Sequence, residues 1–116
     1  MLALSYPERL SGAPILDLAG KTLHFYNMDK NRYPCFDLVI KSARMGDNFP
    51  CALSAANEEA VALFLSDKIA FTDIYGYLCD ALEKTERLEP TLENLILTDR
   101  RARLAVRDRY NGNKNA

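Results

Sequence analysis

The sequence predicts a mostly α fold: a four-helix-bundle-like domain preceded by an irregular arm with at most one short strand. Three observations predict it. Apolar residues recur at helical spacing in four successive segments after residue 32. Short loops join those segments, which suits neighbouring helices packed side by side. Turn-forming residues gather ahead of them, at Pro7, Gly12, Pro14 and Gly20. The expected division is a connecting arm over 1–32 and a helical bundle over 33–116.

Within the arm, Thr22-Leu23-His24-Phe25-Tyr26 alternates weakly and is the one candidate strand. Pro34 suits the first turn of a helix, where its missing N–H costs nothing, and Gly46 suits the stop. Between them an apolar stripe is expected from Cys35, Val39 and Ser42 beside Phe36, Ile40 and Ala43.

The second helix is expected from about Pro50 to Leu65. Leu53, Ala56, Ala60, Leu63 and Phe64 set its core row, and Ala52, Ala55 and Ala62 permit close approach of neighbours. It is apolar nearly all round, so it belongs at the centre. The third starts after Phe71, with Thr72 as cap, Asp73 at the positive helix end, and Phe71 and Tyr75 as a staple. Ile74, Leu78 and Leu82 form its inner row with Tyr77 and Ala81, while Glu83, Lys84, Glu86 and Arg87 face solvent.

The last segment starts at Pro90-Thr91, with Thr91 as cap and Leu92, Leu95 and Ile96 inward. Thr98-Asp99 looks like a second cap, so a break into two pieces is expected there. Ala102, Ala105, Val106 and Tyr110 carry the second piece, and residues 111–116 are expected to fray.

Composition narrows the function. Fifteen basic and 16 acidic residues leave a formal charge of −1, so no overall field draws the chain to nucleic acid or an anionic membrane. No apolar run reaches the ~20 residues of a membrane span, and the N-terminus meets Tyr6, Pro7 and Glu8 too early for a signal peptide. Cys35, Cys51 and Cys79 match no zinc or redox spacing and are expected as buried free thiols in a reducing cytoplasm.

No catalytic constellation is visible. His24 is the only histidine and reads as a strand or surface residue. No glycine-rich phosphate loop occurs. Asn57, Glu58 and Glu59 make a polar notch in the second helix; Asn57 is expected to hydrogen-bond a neighbouring backbone and hold the bundle's register, and both glutamates to be structural. Arg100, Arg101, Arg103, Arg107 and Arg109 are interrupted by Asp99 and Asp108 and read as a solvated face, so nucleic-acid binding is not expected. Asp29, Arg32, Tyr33 and Pro34 read as a salt-bridged turn that orients the first helix.

Several ordered motifs resemble one family. Pro50-Cys51-Ala52-Leu53-Ser54-Ala55-Ala56-Asn57-Glu58-Glu59-Ala60-Val61, continuing to Phe64-Leu65, is similar to P-x-A-L-N-A-A-N-E-x-A-V-x-x-F-L of the 1-deoxy-D-xylulose 5-phosphate reductoisomerases. Ala3-Leu4-Ser5-Tyr6-Pro7-Glu8-Arg9 resembles A-L-T-Y-P-x-R, Asp29 with Tyr33-Pro34-Cys35 resembles P-D-x-x-x-[FY]-P-C, and Ile69 to Ile74 resembles I-x-F-x-x-I. Met28 stands where the family usually has proline, Ser54 replaces an asparagine, and Gly46-Asp47-Asn48 replaces a double glycine.

The resemblance implies the family's C-terminal helical domain alone. The intact enzyme it implies rearranges 1-deoxy-D-xylulose 5-phosphate and reduces the product to 2-C-methyl-D-erythritol 4-phosphate, in isoprenoid synthesis, with NADPH and a divalent metal (Mg or Mn). Its D-S-E metal motif and its dinucleotide-binding domain have no counterpart here. No catalytic, cofactor-binding or metal residue is therefore assigned, and the chain alone is expected to be inactive. Expected partners are the catalytic and NADPH-binding domains, with a homo-oligomer possible through exposed apolar surface. The alternative is a stand-alone helical interaction module.

Overall fold

The computed structural model describes residues 3, 6–8 and 16–114. The turn readings at Gly12 and Pro14, the parts of the opening motif at 4, 5 and 9, and the last two residues lie outside the described residues. Four helices are described: α1 Pro34–Met45, α2 Phe49–Leu65, α3 Asp73–Glu83 and α4 Leu92–Lys114. Helix α2 packs against all three others, and α3 touches all of them as well, whereas α1 and α4 do not meet.

The arm makes no strand among the described residues. A lone extended segment has no neighbour with which to exchange backbone hydrogen bonds. Instead, Asp17 accepts the Ala19 N–H at 2.9 Å, and Gly20 takes a φ of 72° in the turn that follows. Residues 16–33 are all exposed. The Cα radius of gyration is 19.3 Å, against about 13 Å for a compact chain of this length.

The junction is an Asx turn. The Asp29 carboxylate accepts the N–H groups of Asn31 and Arg32 at 3.0 and 3.2 Å, and Lys30 pairs with Asp37 at 3.2 Å across it. The guanidinium of Arg32 lies over the Tyr33 ring. Pro34 then opens α1, and Gly46 ends it at φ 68°, donating its N–H to the Ser42 carbonyl. Both ends fall where the residue chemistry puts them.

The inward face of α1 differs from the expected stripe. Leu38 and Ser42 are buried, with Cys35 and Met45 packed beside them, while Phe36, Val39, Ile40 and Ala43 point outward. The core row is the 35, 38, 42, 45 series, and among the described residues no helix covers the flank next to it. The Ser42 hydroxyl is buried with no hydrogen-bond partner among the described residues. An orphaned hydroxyl costs stability that an alanine does not, and alanine also favours the helix. A Ser42→Ala chain is expected to be about 1 kcal/mol more stable in urea denaturation; a lower midpoint would mean that the hydroxyl does find a partner.

Helix α2 is central, as its all-round apolar character predicts. Ala52, Ala56 and Ala60 have no exposed surface at all, and Leu53, Ala55 and Leu63 are buried with them. Ala62 is exposed, so it takes no part in the close approach. Ile74, Tyr77, Leu78, Ala81 and Leu82 of α3 are buried as a set. Thr72 has helical dihedrals and makes no cap bond; the Asp73 carboxylate accepts the Ala70 N–H at 2.8 Å instead. Phe71 meets Phe64 edge-on at 5.7 Å rather than Tyr75.

Helix α4 is one unbroken element. Thr91 caps it, its hydroxyl accepting the Asn94 N–H at 3.2 Å. Thr98 and Asp99 do not cap a second piece, because both side chains have other partners: Thr98 bonds Asn48, and Asp99 pairs with Arg103 one turn on. The buried row is Thr98, Ala102 and Val106, with Ala105 and Tyr110 beside it; Leu92 and Ile96 face outward. The helix runs to Lys114, past the point where fraying was expected.

Candidate functional site

The polar interior centres on Asn48, at the head of α2. Its side chain is 1% exposed. Nδ2 donates to the Glu86 carbonyl at 2.9 Å and to the Thr98 hydroxyl at 3.0 Å. Oδ1 accepts the Leu88 N–H at 2.9 Å. One amide thus ties α2 to the 84–91 loop and to α4. The register-holding role expected of Asn57 belongs to Asn48, since Asn57 is exposed. The signal for Asn48 was its place between Gly46-Asp47 and Phe49, where a helix start needs polar chemistry and the core begins.

The glutamates of the notch are structural, as expected. Glu59 receives both Arg107 nitrogens at 2.7 and 2.9 Å, and Glu58 receives Arg103 at 2.6 Å. Hydrogen bonding from Arg107 holds the Glu59 carboxyl below its ordinary range. Arg109 donates to the Gly76 carbonyl, pairs with Asp80 at 2.8 Å and lies over the Tyr77 ring. Arg101 pairs with Glu86 at 3.2 Å. Four of the five arginines therefore pin α4 to its neighbours, and Arg100 has no partner among the described residues. The cluster is a set of clamps with one solvated member.

Among the described residues no group of three or more His, Cys, Asp or Glu could hold a metal ion. The adjacent carboxylates of α2 are both taken by arginines, so they do not fit a divalent metal. His24 is exposed and stacks on Tyr26 at 6.3 Å. All three thiols are free and half-buried rather than fully buried. Burial raises Cys35 and Cys51 above the ordinary thiol range, which makes them poor nucleophiles. Among the described residues no helix is long and apolar enough to cross a membrane.

The remaining feature is an apolar surface. Leu16, Leu18, Leu23, Phe25, Tyr26 and Met28 are exposed along the arm, Phe25 at 89% and Tyr26 at 87%. Phe36, Val39 and Ile40 are exposed on α1. Isolated exposed apolar residues are ordinary, but so many in one segment is the composition of a surface that a partner covers. The molecule is thus a helical domain with a well-packed interior and with apolar side chains exposed on its arm and first helix.

Comparison with known proteins gives that class its family. The family model described as the DXP reductoisomerase C-terminal domain matches residues 1–105. This chain belongs to that family. It is 45% identical over 109 residues to the 1-deoxy-D-xylulose 5-phosphate reductoisomerase of a Geobacillus species, covering 90% of this chain and 29% of that protein. The Crocosphaera subtropica reductoisomerase is 41% identical, with coverage of 91% and 28%. A solved DOX-P reductoisomerase in complex with NADPH, fosmidomycin and magnesium superposes with a TM-score of 0.85 at 31% identity, over 97% of this chain and 30% of that one. The Zymomonas mobilis enzyme in complex with NADPH gives 0.81 at 31% identity, over 94% and 30%. The chain thus spans less than a third of the length of these relatives. The mostly helical fold and the family resemblance expected from the sequence both hold.

Proposed function

We propose that this chain works as the C-terminal domain of a 1-deoxy-D-xylulose 5-phosphate reductoisomerase, buttressing the enzyme's catalytic domain without supplying catalytic groups. The arm over 1–32 ties the domains together, and the bundle over 33–116 is the buttress. The reaction of the assembled enzyme is the NADPH-dependent rearrangement and reduction to 2-C-methyl-D-erythritol 4-phosphate, with a divalent metal held elsewhere. No residue of this chain is assigned to catalysis, cofactor or metal. A reducing cytoplasm suits its three free thiols.

The observation that carries the reading is the exposed apolar arm, which needs a protein surface to cover it. A rigid support matters because small displacements of catalytic groups cost large factors in rate. The test is complementation. The Geobacillus relative, truncated of its own C-terminal domain, is mixed with this chain and NADPH oxidation is followed. Substrate turnover is expected from the mixture and from neither part alone, and a Phe25→Ser, Tyr26→Ser chain should restore less of it. Turnover by this chain alone refutes the inactive-domain reading. A mixture that neither associates nor turns over leaves the stand-alone interaction module as the better account.

A further inference from the structure

Two grooves meet along one flank of α1. Asp37, Lys41 and Arg44 follow one another at i, i+4 and i+7 and make a polar stripe there. At about 100° per residue, Phe36, Val39 and Ala43 fall on the other side of the buried row, so covering them leaves the stripe open. The first groove, between α1 and α3, is about 550 Å³, with Pro34, Leu38, Met45, Phe49 and Leu82 as apolar walls. The second is about 660 Å³ and is lined by Lys30, Lys41, Arg44 and Arg87 with the Asp37 carboxylate. Asp37, Lys41 and Met45 border both, so the two adjoin. Each has the size of a small-molecule site. Among the described residues four cations thus face one carboxylate in the second groove, in a chain whose formal charge is −1. Lys30 already neutralises that carboxylate at 3.2 Å. Arg87 is fixed in place: it pairs with Asp47, donates to the Met45 carbonyl at 3.1 Å and lies over the Phe49 ring. Lys41 and Arg44 make no ion pair among the described residues, unlike Arg101, Arg103, Arg107 and Arg109.

We propose that the adjoining grooves bind an anionic amphiphile, a single alkyl chain ending in a phosphate. The phosphate lies among Lys41, Arg44 and Arg87, and the chain lies against Leu38, Phe49 and Leu82. Charge complementarity selects the head. A guanidinium offers phosphate oxygens paired N–H donors, and one already held by a carbonyl and a ring loses little freedom on binding. A cleft lined by one sign of charge also concentrates the opposite ion. The apolar walls of the neighbouring groove select the tail, which a bare phosphate ion lacks. Glu83 borders that groove and repels an anion there, which sets the direction of the ligand. The grooves are open along their exposed rim, so binding is weak, with a dissociation constant on the order of 100 µM.

Calorimetric titration of this chain with octyl phosphate tests it. Saturable binding is expected, with octan-1-ol and inorganic phosphate each roughly tenfold weaker or more, since each supplies only half of the match. The double variant Lys41→Ala, Arg44→Ala should weaken octyl phosphate roughly tenfold and leave octan-1-ol unchanged. Both side chains are exposed, and circular dichroism checks that the variant stays folded. Arg100→Ala, on α4, is the control for general loss of charge and should change nothing. Vesicles of phosphatidic acid separate the two sources of such a head. Co-sedimentation assigns it to a lipid surface, and its absence while octyl phosphate binds assigns it to a soluble molecule. No binding of octyl phosphate overturns the proposal. So does inorganic phosphate or octan-1-ol binding as tightly, or an affinity indifferent to the double variant.

Discussion

Replacing Asn48 with alanine is expected to cost about 3 kcal/mol of folding stability. The loss has three parts. The Glu86 carbonyl, the Leu88 N–H and the Thr98 hydroxyl each lose their Asn48 partner at once. The Thr98 bond is buried and the other two are partly buried, so the loss stays below three times the ~1–3 kcal/mol of an unpaired buried polar group. A cavity of about 40 Å³ beside Asn48, lined also by Thr85, Thr98 and Arg101, moderates it. That space has room for water, which can reach the freed groups. Urea denaturation measures the change, and a midpoint unmoved from wild type would remove Asn48 from its role as the hub. A domain of this size has only about 5–15 kcal/mol to lose.

Two companions separate the hydrogen bonds from the volume. Thr98→Val removes one acceptor and should cost about 1 kcal/mol. Asn48→Asp keeps the shape and the bond from Leu88, but turns oxygen toward the Glu86 carbonyl and the Thr98 hydroxyl. Burial raises the folded pKa of that new carboxyl above its unfolded value. Its neutral form is then the better tolerated, so this variant should gain stability as pH falls and lose it as pH rises through the folded pKa. Wild type has no such group at the site.

The error over Asn57 shows what helical periodicity can resolve. An asparagine inside an alanine-rich helix looks buried when the helix looks apolar all round. Yet even a central helix keeps one exposed strip, and Ser54, Asn57, Glu58 and Ala62 occupy it here. Which strip faces water depends on where three neighbours sit, and no local pattern encodes that. The same limit applies to α1. The expected flanks sit beside the row that is buried, Cys35, Leu38, Ser42 and Met45, and which row faces inward rests on the position of α2. On α4, Thr98-Asp99 has the chemistry of a cap, but Asn48 and Arg103 engage those side chains from fifty and four residues away.

Other features needed no tertiary knowledge. Pro34 and Gly46 bound α1 because ring closure and positive φ are properties of the residues themselves. The inner row of α3 was legible because an 11-residue helix with one apolar face has only one way to turn it. The structural reading of Glu58 and Glu59 also holds, although their partners Arg103 and Arg107 were legible only as a run of arginines on another helix. The family resemblance rested on several motifs in order, and it reached further than periodicity could.

Ala56→Leu is expected to be as damaging as any single change in the chain, costing about 3 kcal/mol or more. Ala52, Ala56 and Ala60 repeat every fourth residue with no exposed surface. The same core holds further small residues: Ala102 and Ala105 on α4, and Ala81 on α3. Small against small lets the helix axes approach closely, and close packing leaves no space for three further carbons. Ala56 is fully buried, and it lines neither the cavity beside Asn48 nor the grooves along α1. The leucine must therefore push α3 or α4 outward, and α4 is held by Asn48 at one end and by the Glu58 and Glu59 ion pairs along its length. Displacing it strains those bonds together. Ala62→Leu is the control on the same helix. It changes the same residue types at an exposed site, so it should shift stability by less than about 0.5 kcal/mol. Thermal melts of the two variants side by side decide the matter: equal effects would mean that leucine in α2, rather than the space between helices, is what the fold cannot accept.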